Sequence, residues 1–584
     1  MKMHFEIRRV FAQATLILIF VSATIGQQRP ATDQQLSEVG NLSGIVVGEN
    51  GQPLPGASVL IRRLNSVAPP RIVITNNEGK FEVVNLDRAL YSVSASVSTY
   101  VSTPRDQDTP APFYRLGDSI RLELIKGGII TGAVTRANNE PVIAVRIRAI
   151  MLRDFKDKGV KSFAPVFQGM TDDRGIYRIY GITPGTYIVE AGGPPITSTS
   201  YVSPYDLDVP TFGPSSARDT ATEINVSSGQ ETIMDIRYRA ERGRSISGTV
   251  KKLGAFGANV TLTAPNNSVI PISSSFQGPR NRGFEFLGIA DGVYDLVAQE
   301  TLQVPGSNTR ELVMSESRRI TVKGMDITGI ELVTKPLGSI SGQLVLQPST
   351  AAECASKRRP SIAETIVTLQ RNRKGTESEP AALLRITSVG ISPEKNGDLV
   401  WRNLIDAQYG FATKFYARYW YLHSITLPGV STAKTAASNL KTDAARNWTT
   451  IKSGARLSGL TITLAEGAGS LRGKLEVPEG TNVPADLDVY LVPAEKEKAE
   501  DVLRYFVAEA IADGSFNADN LPPGRYLLLA QRRAGTDQIT TPKLQLPDAA
   551  ENRLKLRRAA ETTKIEIELK PCQNLSDYKL PFTP

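Results

Sequence analysis

Apolar and polar residues alternate along most of this chain in short runs. Pairs such as Phe81/Val83 and Tyr187/Val189 send one side of a run toward a core and the other toward water. That period of two predicts half-buried strands. Gly, Asn, Asp and Pro break the runs, supplying the backbone angles that tight turns require. Helical periodicity is scarce. Only residues 495–504, where charged residues flank Ala499, Val502 and Leu503, predict a short helix. The pattern as a whole predicts an all-β chain.

The pattern also repeats. A first strand of the form Ser-Gly-x-Val leads to an alternating second strand. A turn rich in Asp, Asn and Gly then runs into Phe or Tyr, and a Pro-Gly-x-Tyr-like turn opens the last part. In the first copy these are Ser43-Gly44-Ile45-Val46, Gly51-Gln52-Pro53-Leu54-Pro55-Gly56-Ala57, Thr75-Asn76-Asn77-Glu78-Gly79-Lys80-Phe81, Leu86 and Tyr91. The second has Thr131-Gly132-Ala133-Val134, Thr171-Asp172-Asp173-Arg174-Gly175-Ile176-Tyr177 and Ile182-Thr183-Pro184-Gly185-Thr186-Tyr187. Gly248, Phe284, Ile289 and Tyr294 mark the third copy, and Gly342, Leu399, Leu404 and Tyr409 the fourth. Gly473, Phe516, Leu521 and Tyr526 mark the fifth. The marker glycines lie 88, 116, 94 and 131 residues apart, the length of a domain. Closing strands are expected at Ile120/Leu122/Leu124, Met234/Ile236/Tyr238, Ile327/Ile330/Leu332, Leu460/Ile462/Leu464 and Ile565/Ile567/Leu569. Six or seven short strands per copy suffice for a two-sheet sandwich.

The first copy's series resembles the carboxypeptidase regulatory-like domain, which belongs with transthyretin-like and collagen-adhesin B-type sandwiches. Copies one, two and five carry the motif well. Copies three and four lack the complete Thr-Asp-x-x-Gly turn. The resemblance implies a tandem array of about five antiparallel Greek-key, prealbumin-like modules, as in exported bacterial proteins built only of such modules. The expected organisation is a signal peptide at 1–26 and modules at 40–126, 127–240, 241–336, 337–466 and 467–584.

The leader expectation rests on basic Lys2, Arg8 and Arg9, an apolar stretch over residues 10–25, and small residues permitting cleavage after Ala23 or Gly26. A retained N-terminal anchor is the rival reading. No later stretch is apolar for long enough to span a membrane, so no transmembrane segment is expected in the mature chain. Cleavage after Gly26 leaves 65 basic and 58 acidic residues, a net +7 against +9 for the full sequence. No basic block is long enough to point to nucleic acid. Cys354 and Cys572 are the two cysteines. In an oxidising compartment they could pair, and two free thiols are the alternative.

The inventory for chemistry is thin. After the leader the chain has one histidine, His423, too few for a His-based zinc site, and no His-Glu-x-x-His or Gly-x-Ser-x-Gly motif. No catalytic, cofactor or metal residue is therefore assigned, and an enzyme is not expected. Asp172, Asp173 and Gly175 read as a strand turn more readily than as a calcium loop. The resemblance to adhesin modules raises internal Lys–Asn or Lys–Asp isopeptide bonds at Lys251 and Lys474 on first strands, but no consistent Asn partner appears on the closing strands.

The pointed feature is in copy four, which holds Trp401, Trp420 and Trp448 together with His423. Its run Lys414-Phe415-Tyr416-Ala417-Arg418-Tyr419-Trp420-Tyr421 is the densest aromatic stretch. In an extended strand Phe415, Ala417, Tyr419 and Tyr421 share one face, and Tyr416, Arg418 and Trp420 the other. Core packing accounts for one face, which leaves Tyr416, Arg418 and Trp420 as candidate ligand-binding residues. The functional expectation is a non-catalytic scaffold or protein-interaction protein of the cell envelope. Its partner would be an envelope protein or a polysaccharide, the latter bound at copy four.

Overall fold

The computed structural model describes residues 39–582 apart from residue 67 and residues 104–111, 156–159, 197–202, 252–256, 266–271, 279–282, 304–309, 358–360, 373–389, 429–440, 479–482, 485–486 and 533–543. The signal peptide expected at 1–26 lies outside the described residues. The fold is all-β, and one topology recurs through it. Val39–Val47 sits between Lys80–Asp87, antiparallel to it, and Ser119–Lys126, parallel to it. Gly128–Thr135, Arg244–Lys251, Gly338–Gln347 and Gly469–Glu476 are flanked in the same way. A second sheet faces each of these. Its central pairs are Ser58–Arg63 with Tyr91–Ser96, Arg146–Phe155 with Gly185–Ala191, Ala258–Thr263 with Gly292–Gln303, Thr365–Arg371 with Ala407–Phe415, and Leu487–Pro493 with Gly524–Arg532. Each sheet pair encloses a core of its own. In the third unit Arg310–Ser315 pairs with both sheets and joins them along one side.

The recurrent residues are consumed by this architecture. A β-carbon on Gly44, Gly132, Gly248, Gly342 or Gly473 would collide with the backbone oxygen of Ile120, Met234, Ile330, Leu460 or Tyr578, on the closing segment beside it. Only glycine allows that approach. The recurrent tyrosines form a second device. The hydroxyls of Tyr91, Tyr187, Tyr294, Tyr409 and Tyr526 each donate to the carbonyl four residues earlier, at 2.7, 2.6, 2.8, 3.1 and 2.8 Å. Each phenol thereby pins the turn before its strand while its ring fills the core. The turn residues are equally occupied. Asp172 Oδ1 accepts from the N–H groups of Arg174 and Ile176, as Asn76 Oδ1 does from Glu78 and Lys80. This is a strand turn closed on itself.

Successive units are close-coupled. Gly127 alone separates Ser119–Lys126 from Gly128–Thr135, and Leu337 alone separates Ile327–Pro336 from Gly338–Gln347. Asn85, Gly181, Gly288, Asn403 and Asn520 hold the same positive-φ place, at 57, 67, 70, 62 and 59°. From the second unit on, that place meets the preceding unit or its junction. A β-carbon on Gly127 would stand 2.7 Å from Gly181 Cα, and one on Gly288 would strike the Asp206 carbonyl. Asn403 Oδ1 accepts from Leu312 N at 3.2 Å, and Asn520 Nδ2 donates to the carbonyls of Ala417 and Trp420 at 2.9 and 2.7 Å. The array also folds back on itself. Arg88 of the first unit pairs at 3.2 Å with the fully buried Glu364 of the fourth, and Ala363 joins the first unit's core.

Two expectations are corrected. Residues 495–504 are not a helix but two short 3-10 turns, Lys496–Lys498 and Val502–Arg504. The Asp501 carboxylate accepts from Leu503 N and interrupts helical bonding there. The α-helix among the described residues is Ala550–Thr563. Its anchors are guanidinium groups: Arg553 donates to the carbonyls of Leu544 and Leu546 at 2.6 Å, and Arg557 to that of Pro493 at 2.7 Å. The fifth unit also closes later than expected. Ile567 and Leu569 lie on Glu566–Leu569, which pairs with Gly524–Arg532, and the parallel closing strand is Asn574–Pro581. The chain reverses between them at Pro571 and at Cys572, whose φ is 56°.

Candidate functional site

The aromatic run of the fourth unit is not one strand. Ala407–Phe415 ends the first half in one sheet, and Trp420–Pro428 begins the second half in the facing sheet. Residues 416–419 form the corner between them, with Tyr419 at φ 71°. A left-handed residue breaks the alternation that an extended strand would keep. The corner is held from outside its own unit. Gly467 N and Ala468 N, at the junction to the fifth unit, donate to the Tyr419 carbonyl at 2.8 and 2.9 Å. Asn520 of the fifth unit holds the carbonyls on either side of Tyr419, and Asn574 Nδ2 donates to its hydroxyl at 3.1 Å.

The three candidate residues are therefore sent to three different places. Trp420 is 2 % exposed and belongs to the fourth unit's core with Trp401 and Phe411, so its ring face is unavailable for stacking on a ligand. Tyr416 is half-buried and meets Phe113 of the first unit edge-on, with ring centroids 6.4 Å apart. Burial raises its phenol pKa. Arg418 is exposed at the tip of the corner. His423 is exposed, edge-on to Tyr421 at 6.1 Å. Among the described residues no cluster of three or more His, Cys, Asp or Glu could hold a metal ion. Lys251 sits at the surface with its ammonium 2.7 Å from the Glu331 carboxylate, and Lys474 is exposed.

What converges at this corner is a seam. Cys354, in the turn Ala352–Cys354, is joined by a disulfide to Cys572, 218 residues later, and the two residues are 2 % and 4 % exposed. Cys572 N donates to the Gly467 carbonyl at 2.9 Å, placing the disulfide beside the Tyr419 corner. Val502 and Leu503 of the fifth unit pack into the fourth unit's core. Beside this seam the two units leave a cleft of about 390 Å³. Phe411, Phe415 and Leu422 form one wall, and Tyr505, Phe506 and Leu544 the other. Gln370, Lys414, Asp519 and Asn520 supply polar groups. Of the fourth-unit wall, the aromatic run supplies only Lys414 and Phe415, and none of Tyr416, Arg418 and Trp420 lines the cleft. Sequence reasoning missed the fifth-unit wall, because nothing in strand periodicity tells which unit will face which.

No protein-family model matches the chain, and no curated protein sequence matches it. Solved structures with related strand arrangements include the Bacillus anthracis TIE protein, at 15% identity over 51% of this chain and 50% of that one, with a TM-score of 0.14. The match thus spans half the length of the TIE protein. The minor pilin GBS52 of Streptococcus agalactiae matches at 13% identity over 35% of this chain and 98% of its own, with a TM-score of 0.19. BcpA, the major pilin subunit of Bacillus cereus, matches at 10% identity over 51% and 99%, with a TM-score of 0.14. Likeness at these scores carries no argument about what this chain does.

Proposed function

We propose that the chain is a non-catalytic, exported scaffold or protein-interaction protein of the cell envelope, built of five modules of the carboxypeptidase regulatory-like kind. The observation that carries this reading is the use to which the recurrent residues are put. Glycine, tyrosine and the turn residues all serve the fold, and from the second unit on the positive-φ Asn or Gly, which sits at a β-bulge, serves the seams. Seams between units and open sheet edges are surfaces that other polypeptides use. The buried Cys354–Cys572 disulfide supports an oxidising compartment, where such bonds persist.

Cross-linking mass spectrometry on intact producing cells tests the reading, with pull-downs of the purified protein on peptidoglycan sacculi and insoluble polysaccharides as its counterpart. The expected result is a cross-linked envelope protein and no retention on any polysaccharide. Saturable retention on one polysaccharide would replace the reading with carbohydrate binding. Export is checked by N-terminal sequencing of the extracytoplasmic fraction, with Thr24 or Gln27 expected as the first residue.

A further inference from the structure

We infer that the cleft between the fourth and fifth units receives an extended peptide of a protein partner, added as a strand to the edge of Ala407–Phe415 where residues 410–415 pair with no strand among the described residues. The inference rests on the protein-interaction reading above and names the surface and the partner's chemistry.

The phase of the ladder identifies the free groups. Asn372 N donates to the Gln408 carbonyl at 2.8 Å, so on the side of Thr365–Arg371 the bonded residues are 408, 410, 412 and 414. Phe411, Thr413 and Phe415 consequently turn their N–H and C=O groups the other way. On that side Thr449–Ile451 pairs with Ala407, Gln408 and Tyr409 and goes no further. Among the described residues no strand pairs with this edge over residues 410–415. The cleft opens along that stretch.

The opposite wall is built alike. Phe506–Glu509 is the outer strand of its sheet, and Ala510 N donates to the Leu487 carbonyl at 3.0 Å. That phase turns the N–H and C=O of Val507 away from its own sheet. Two sheet edges from two units thus border one cleft, and the seam with its disulfide fixes their separation. Natural sheets blunt an edge with charge, proline or a bulge. Residues 410–415 carry a single charge, Lys414, whose ammonium lies 5.3 Å from the Tyr416 ring centroid.

The dimensions and chemistry fit a peptide. The free stretch from Phe411 to Phe415 spans about 13 Å, enough for a strand of four or five residues. The walls Phe415, Tyr505, Phe506 and Leu544 favour apolar side chains at alternate positions. A sugar could use the aromatic walls, but only a polypeptide presents donors and acceptors at the spacing of a strand edge.

The test is amide exchange on the full-length protein with a defined probe, the capped peptide acetyl-KVTVTVTK-amide, and the same peptide N-methylated at every backbone amide. The expected result is saturable slowing, about tenfold, of the amides of residues 411, 413 and 415 by the first peptide and none by the second. Thr413→Pro deletes a donor that faces the cleft, not the ladder, and is expected to abolish the effect without moving the unfolding midpoint. If that variant misfolds, the methylated peptide still decides on the native protein. No slowing at millimolar peptide overturns the inference, as does equal slowing by the methylated probe or slowing by a chitooligosaccharide in place of the peptide. Peptide protection confined to another edge, such as Arg71–Ile74, overturns this cleft and leaves the interaction reading standing. That reading fails separately, by retention on a polysaccharide.

Discussion

Tyr294→Phe isolates the work of one corner hydroxyl. The phenol donates to the Ala290 carbonyl at 2.8 Å, and the residue is 8 % exposed. Burial raises its pKa from 10.0 to about 12, with Arg218 opposing and Asp291 and Asp219 assisting. The neutral, protonated form is the one the fold prefers. Its contribution is therefore fully present below about pH 10, the unfolded value, and is lost as pH rises from 10 through 12. Two pH units correspond to about 2.7 kcal/mol. At neutral pH the substitution removes a buried hydrogen bond, a loss of about 1–2 kcal/mol. Amide exchange in Gly283–Ile289 and Gly292–Gln303 should then quicken about tenfold. Between about pH 9 and about pH 11.5 the wild type should lose more resistance to urea than the variant does. The tyrosinate absorbance of wild type minus variant should show one transition near pH 12. A transition near pH 10, or unchanged exchange in those two strands, would refute the reasoning.

Gly132→Ala puts a β-carbon into the Met234 carbonyl and 3.1 Å from Tyr177 Cε1. It should cost about 3 kcal/mol and make residues 127–240 the first region cut in limited proteolysis. Replacing both Cys354 and Cys572 by Ser removes a link across 218 residues, a loss of about 5 kcal/mol if chain entropy alone sets it. The thermal midpoint should fall, and it should no longer respond to reductant. Asn520→Ala removes both bonds to the Tyr419 corner, a loss of about 1–2 kcal/mol. Exchange should quicken at residues 417–420 while the fourth unit's core strands stay protected.

The fold was legible because its signals are local. A period of two, a turn with Asp or Asn before Gly, and a tyrosine after Pro-Gly each report on a few neighbouring residues. The late helix was illegible for the same reason. Ala550–Thr563 fully buries only Arg553 and Ala560, packs Leu556 and Ala559 partly buried beside them, and is also held by arginine bonds to the carbonyls of Leu544 and Pro493. No periodicity marks such a helix. The aromatic run misled for a related reason. Tyr416 is covered by Phe113, and the Tyr419 corner is held by Asn520 and Asn574. Partners so far away in sequence leave no trace in the alternation of the run itself.

The bulge position shows where the two kinds of information meet. Asn85, Gly181, Gly288, Asn403 and Asn520 satisfy a local demand, since glycine and asparagine tolerate positive φ best. That demand does not choose between them. The choice matters for the neighbour: Gly288 leaves room for the Asp206 backbone, where a side chain would clash, while Asn403 and Asn520 use their amides to bind the preceding unit. Asn85, in the first unit, is exposed. One backbone requirement thus supplies a recurrent site for joining units, and the residue placed there decides whether the joint is a bare contact or a hydrogen-bonded one. The Asn520 joint is doubly bonded and stands beside the disulfide. A strand-binding cleft between two units can hold a fixed width only where the joint beside it is rigid, and this seam has the bonds for it.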